Sequence, residues 1–109
     1  MKYFVVTYIR PDDTGWDEHL RAHVAYLNGL VEAGSLRASG PLLDTSETSS
    51  MLILSAESRE DALDLITADP YVAECVVTDY TVAEWDPMFG EFQTPRHRLV
   101  LSQLDTRFE

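Results

Sequence analysis

The chain opens on KYFVVTYIR, residues 2–10, in which β-branched and aromatic side chains occupy both sets of alternating positions. In an extended strand Tyr3, Val5, Thr7 and Ile9 share one face, and Phe4, Val6 and Tyr8 share the other. Apolar character on both faces predicts a strand covered on both sides. Pro11-Asp12-Asp13-Thr14-Gly15 ends it with turn-forming residues. Over residues 16–33 the apolar spacing changes to three and four, through Trp16, Leu20, Val24, Leu27, Leu30 and Val31, which predicts an amphipathic helix. Gly34 is placed to stop it. Residues 36–43 (LRASGPLL) read as a second strand. Gly40-Pro41 within it implies an edge, a bulge or a strand end, because proline cannot donate to the ladder. Residues 44–50 read as a polar turn and 51–56 (MLILSA) as a third strand. Ser58, with Asp61 three residues on, resembles a capping box that opens a helix through residue 68. Residues 76–85 (VVTDYTVAEW) read as a fourth strand.

The order βαββαβ predicts an α+β, ferredoxin-like fold: a four-stranded antiparallel sheet with both helices on one face. The first and third strands are apolar on both faces, so a monomer would leave much of the second sheet face wet. Exposed apolar surface of this kind marks interfaces. A homodimer packed sheet against sheet is the favoured reading. The alternative is that residues 87–109 fold back over the face, using Phe89, Phe92, Leu99, Val100 and Leu101.

Length and composition sharpen this picture. The 109 residues suit one domain, and 45% hydrophobic with 25% charged residues argues against disorder. Eight basic and nineteen acidic residues give a net charge of −11, which opposes nucleic acid and anionic membranes as partners. Residues 1–86 hold five basic and sixteen acidic residues, the whole imbalance, while 87–109 hold three of each. A domain over 1–86 with a C-terminal extension over 87–109 follows. The single Cys75 excludes an internal disulfide and any cysteine-rich zinc site. No apolar run approaches the ~18 residues of a membrane span, and the first residues turn polar too soon for a signal peptide. A cytoplasmic location is therefore expected.

His23 is the most informative residue for chemistry. Projected at about 100° per residue from Trp16, it falls near 340°, inside the apolar arc of the first helix. An imidazole aimed at a sheet needs a hydrogen-bond partner. By itself such a histidine is more often a satisfied core residue than a functional one. Asp69 precedes Pro70, which restricts it to extended geometry. It can cap a short new turn with Pro70 first, or it can face His23, since both helices lie on one side of the sheet. His19 and His23 stand four apart, a spacing that can hold a metal, but HLRAH lacks the glutamate of the zinc-protease motif and no third ligand is evident. No metal site is expected. Cys75 reads as a small buried hydrophobe, and His97 in PRHRLV as part of a basic patch for a partner's acidic body. Phosphate loops, nucleophile elbows and dinucleotide fingerprints do not occur.

These features, taken in order, resemble the YciI-like (YCII-related) domain family of the dimeric α/β-barrel group. The matching segments are the aromatic first strand, His23 in RAHVAYLNGLVEAGSL, Gly40-Pro41, Ser58, and Asp69-Pro70-Tyr71 in ADPYVAECVVTDYTVAEW. The extension over 87–109 departs from the family pattern, as does Cys75, where a smaller residue is more usual. The resemblance implies an active-site pair of His23 and Asp69. It makes a functional pair the favoured reading over a packed core pair. One family member is linked to removal of chloride from a chlorinated hydroxyquinol, which fixes no reaction for this chain.

The expected function is a small-molecule enzyme working by acid–base chemistry without a cofactor, of isomerase or lyase type. His23 would move a proton and Asp69 would hold its ring. Gly40 and Pro41 would let backbone approach a ligand, with Tyr8, Ser39 and Tyr71 as further lining. The alternative is a non-catalytic dimer that binds a small ligand or serves assembly, in which His23 and Asp69 only fix packing.

Overall fold

Alternation along the first strand decides where the core lies. The computed structural model of the chain describes residues 1–10 and 16–93, so the expectations for the turn at 11–15 and for His97, Leu99, Val100 and Leu101 fall outside the described residues. Strand β1 (Lys2–Arg10) turns Phe4, Val6, Tyr8 and Arg10 inward, with Phe4 and Val6 fully buried. Tyr3, Val5, Thr7 and Ile9 lie on the other face and are half-buried.

Helix α1 (Trp16–Glu32) follows, then strands β2 (Leu36–Leu42) and β3 (Thr48–Ala56), helices α2 (Arg59–Thr67) and α3 (Pro70–Ala73), and strand β4 (Asp79–Trp85). The sheet order is β2-β3-β1-β4, and all three pairings are antiparallel. Each helical crossover skips a strand, which is the split βαβ of the ferredoxin-like α+β fold. One core joins the inward face of β1 to Leu52 and Leu54 of β3, Ala62 and Ile66 of α2, and Leu20 and Leu27 of α1. The helices therefore cover one sheet face.

Local chemistry sets the boundaries. Gly34 takes φ +80°, and the amides of Gly34 and Ser35 donate to the carbonyls of Val31 and Leu30 at 3.0 and 2.9 Å. Those two bonds satisfy carbonyls that the helix end would leave unpaired. Ser58 accepts the Asp61 amide at 3.1 Å and opens α2. Pro41 sits on β2, an edge strand, and the β2–β3 register slips between Leu36 and Ala38.

Four expectations need correction. The buried face of α1 is rotated: Val24 and Val31 are exposed, while Tyr26 is half-buried and donates to the Leu65 carbonyl at 2.6 Å. On the same projection Tyr26 falls near 280° and Leu20 near 40°, so His23 marks the middle of the buried arc. Strand β3 starts at Thr48, because the polar residues 48–50 continue the ladder with β1 instead of turning. Strand β4 starts at Asp79, and the buried Val76 and Val77 anchor the preceding loop, with the Val77 amide donating to the Tyr71 carbonyl at 2.8 Å. Cys75 is exposed, because it ends the α3 turn at φ +60° and its side chain is carried away from the core.

After β4 the chain returns to the sheet face that the helices leave open. Phe92 packs edge-on against Tyr3 and Trp85, both at 5.8 Å between ring centroids. Arg37 lies over the Phe92 ring at 5.4 Å and donates to the Tyr3 hydroxyl at 2.7 Å. Phe89 stays exposed.

The left-handed conformation of Cys75 strains any residue that carries a Cβ. Cys75→Gly is expected to raise stability by roughly 0.5–1 kcal/mol and the β-branched Cys75→Val to lower it by roughly 1–2 kcal/mol, both read from urea denaturation. Equal midpoints for the three proteins would contradict this.

Candidate active site

Asp69 ends the segment after α2 with an extended backbone, φ −65° and ψ 126°, as the residue before a proline should. Its carboxylate is completely buried. Oδ1 accepts the Tyr71 amide at 3.0 Å, which caps α3, and also receives the Nδ1–H of His23 at 2.8 Å. Oδ2 accepts the Tyr8 hydroxyl at 3.1 Å. Three donors from β1, α1 and α3 thus converge on one charge. The two readings of Asp69, as a cap and as the partner of His23, are both realised.

The partners fix the histidine tautomer. An ionised carboxylate only accepts, so the neutral His23 ring carries its proton on Nδ1 and presents a lone pair at Nε2. Nε2 has no hydrogen bond among the described residues, and it is not sealed, since no buried side-chain nitrogen or oxygen lacks a partner there. The ring lies flat on Tyr71, with centroids 3.8 Å apart and planes 6° from parallel. It can neither tilt nor flip without losing both contacts.

The phenols around the carboxylate stay protonated. Burial pushes Tyr8 far above its ordinary range, and the charge of Asp69 and its hydrogen bond push the same way. Tyr71 is raised by burial; Arg10 draws it partly back, and Asp69 and Asp17 add to the rise. Tyr26 is raised by burial and then by Asp69. Each serves as a neutral donor near neutrality.

A cavity of about 450 Å³ opens beside this cluster. His23, Tyr8, Ser39, Gly40, Pro41 and Tyr71, all singled out from the sequence, line it. Asp69 lies behind them and touches the cavity only through His23 and Tyr8. Sequence reasoning missed Arg10, Thr48, Ser49 and Ser50 on the polar wall, and Leu27, Leu52 and Val77 on the apolar one. Extending the two-residue alternation of β1 past Tyr8 would have found Arg10. His19 is directed elsewhere, 3.9 Å from Glu18, and no group of three possible metal ligands occurs among the described residues. No helix among them is long and apolar enough to cross a membrane.

Fold and site together define a ferredoxin-like α+β protein with a buried carboxylate–imidazole pair at the wall of a cavity. The chain belongs to the YCII-related domain family, whose model matches residues 1–86. Among solved structures it is similar to 5-chloro-2-hydroxyhydroquinone dehydrochlorinase (TftG) from Burkholderia phenoliruptrix AC1100, in complex with 2,5-dihydroxybenzoquinone. That match has a TM-score of 0.66 and 24% identity, and covers 86% of this chain and all of the other. It is also similar to protein Atu4242 from Agrobacterium tumefaciens, at TM-score 0.53 and 13% identity, with 86% of this chain and all of the other covered. At these identities the likeness is one of fold. No curated protein matches the chain.

Two outcomes follow from the carboxylate. Asp69→Ala leaves three donors without their acceptor, and a loss of roughly 3–5 kcal/mol is expected in chemical denaturation, with Asp69→Asn losing less. A loss under ~1 kcal/mol for the alanine would mean that water replaces the carboxylate. Tyr8 keeps its phenolic proton to higher pH in the folded than in the unfolded chain. Its contribution is therefore complete below pH ~10 and is lost as pH rises beyond that value. Stability measured from pH 8 to 12 should fall more steeply for the native protein than for Tyr8→Phe.

Proposed function

We propose that this protein is a small-molecule enzyme of the acid–base type, an isomerase or lyase, with His23 as its proton-transfer residue. The observation that carries the reading is the pairing of His23 with the buried Asp69 at the wall of a cavity of about 450 Å³. A carboxylate on Nδ1 fixes the ring and stabilises the imidazolium that forms when Nε2 takes a proton. Asp69 is thus a positioning residue. Tyr8, Ser39, Gly40, Pro41 and Tyr71 form the surface on which a substrate would lie.

The chemistry available to such a site is proton abstraction beside a carbonyl. Nε2 takes a proton from carbon, and the C–H bonding pair becomes a double bond. In an elimination the leaving group departs with its own bonding pair. In an isomerisation the imidazolium returns the proton at a different atom. The structurally similar dehydrochlorinase acts on a single-ring hydroxylated compound, and the cavity here has the volume for a ligand of that size.

The second reading, a ligand-binding protein without turnover, draws on the structural work that Asp69 does in capping α3 and holding β1. The proposal extends to assembly: two copies pack through the sheet faces that carry Val5, Ile9 and Met51, with the extension over 87–109 adding to the contact. Cytoplasmic residence belongs to the same reading.

Screening hydroxylated and halogenated monocyclic aromatics and unsaturated lactones tests the enzyme. With a turned-over compound in hand, His23→Gln is expected to lower kcat by about 10²–10⁴ with little change in KM. Asp69→Asn should lower kcat in the same direction. Unchanged turnover in folded His23→Gln would sink the assignment and favour the binding reading.

A further inference from the structure

Two side chains connect the buried charge of Asp69 to the cavity, and each has its one proton engaged by that charge. The neutral His23 ring has a single N–H, at Nδ1, and Oδ1 holds it at 2.8 Å. The Tyr8 phenol has a single O–H, and Oδ2 holds it at 3.1 Å. A ligand is therefore offered the lone pair of Nε2 and the lone pairs of Tyr8 Oη. Tyr8 accepts no hydrogen bond from any described residue. Both residues line the cavity, and they are neighbours, because their donors end on the two oxygens of one carboxylate. Burial and the charge of Asp69 keep the phenol protonated, so Oη stays a neutral acceptor.

The floor beside them is less selective. Register places Ser50 opposite Tyr8 and Ser39 opposite Leu52, and all four residues line the cavity. A serine hydroxyl rotates and both donates and accepts, so it serves either kind of ligand group. Leu27, Leu52 and Val77 offer hydrocarbon on which a ring can lie. The sense of hydrogen bonding at the His23 end is set by Nε2 and Oη.

We infer that Tyr8 is a specificity-determining residue: it accepts a hydrogen bond from the ligand, and with Nε2 it selects a ring that presents two adjacent hydroxyl groups. The inference rests on this cavity being the substrate site. A carbonyl, ether or halogen in place of the second hydroxyl sets lone pairs against Oη with no proton between them, and leaves a desolvated acceptor unpaired. An enol hydroxyl on Nε2 also agrees with the proton transfer proposed for His23. Nε2 takes the hydroxyl proton as the O–H pair becomes part of a carbonyl. The imidazolium returns a proton to the adjacent carbon, where the C=C pair forms the new C–H bond. The hydroxyl compound and the carbonyl compound that loses a carbon-bound proton are thus the two ends of one step.

Catechol and 2-fluorophenol separate the second donor from shape, since fluorine is close to hydroxyl in size and carries no proton. Both are titrated at neutral pH into the full native chain, labelled with ¹⁵N and with ¹³C at tyrosine Cζ. Catechol is expected to bind at least about tenfold more tightly, and to shift Tyr8 Cζ where 2-fluorophenol does not. Both should shift His23 Nε2, since each keeps one hydroxyl. Tyr8→Phe should bring the two affinities level, a change in ratio that lost support for Asp69 would not produce. The Cζ shift in the native chain decides the point even if Tyr8→Phe fails to fold. Equal affinities in the native chain overturn the second acceptor and leave the acid–base reading standing. A preference that survives in folded Tyr8→Phe overturns the inference and assigns Tyr8 to holding Asp69. If neither probe shifts any cavity residue, the inference fails together with the substrate-site reading.

Discussion

The structure turns on one buried charge. Moving a carboxylate out of water is costly by several kcal/mol even after relaxation, unless hydrogen bonds replace its hydration. Asp69 is completely buried, and its two oxygens accept a phenol, an imidazole and a backbone amide. Those donors belong to β1, α1 and α3, so satisfying the charge fixes the three elements relative to one another. Pro70 contributes by holding the Asp69 backbone extended, which keeps the side chain over the first turn of α3. The same contacts that make the charge tolerable leave His23 with one tautomer and an Nε2 that has no hydrogen bond among the described residues. Structural need and the orientation of the imidazole coincide in the same contacts.

The fold was largely legible in the sequence, because it rests on periodicity. Phe4, Val6 and Tyr8 alternate, Leu20, Leu27 and Leu30 recur on a helix face, and Gly34 and Ser58 bound their helices as their chemistry demands. The boundaries that went astray share one cause. Polar residues 48–50 lie in a strand whose inward side meets a cavity, so hydropathy marks them as a turn. Val76 and Val77 are apolar because they anchor a loop, so hydropathy marks them as strand. Cys75 ranks with the small buried hydrophobes by residue type, and its left-handed backbone places it at the surface instead.

The site was legible in its parts and not in its contact. Helical projection placed His23 among the apolar positions, and the Asp-Pro step placed Asp69 at a cap. No local pattern says that residues 46 apart in sequence meet at 2.8 Å; only the topology does. Arg10 escaped notice for a different reason. An arginine at a strand end before a turn ordinarily reaches water, and only the inward phase of β1 directs it to the cavity. The hydroxyls of Thr48, Ser49 and Ser50 were hidden by the same hydropathy that misplaced the strand boundary.

The sequence separations around Asp69 also bear on how the chain folds. Its partners Tyr8 and His23 lie 61 and 46 residues away, while only the Tyr71 amide is local. A partly folded chain that docks α2 before β1 and α1 are in place would bury the carboxylate with one donor in three. Such a state is penalised by the missing hydrogen bonds, while the fully unfolded chain keeps the group hydrated. Intermediates are therefore raised in free energy relative to both ends of the reaction, which makes the transition all-or-none. The charge at the centre of the fold acts as a checkpoint: the hydrophobic layer closes only when the donors around Asp69 are already in place.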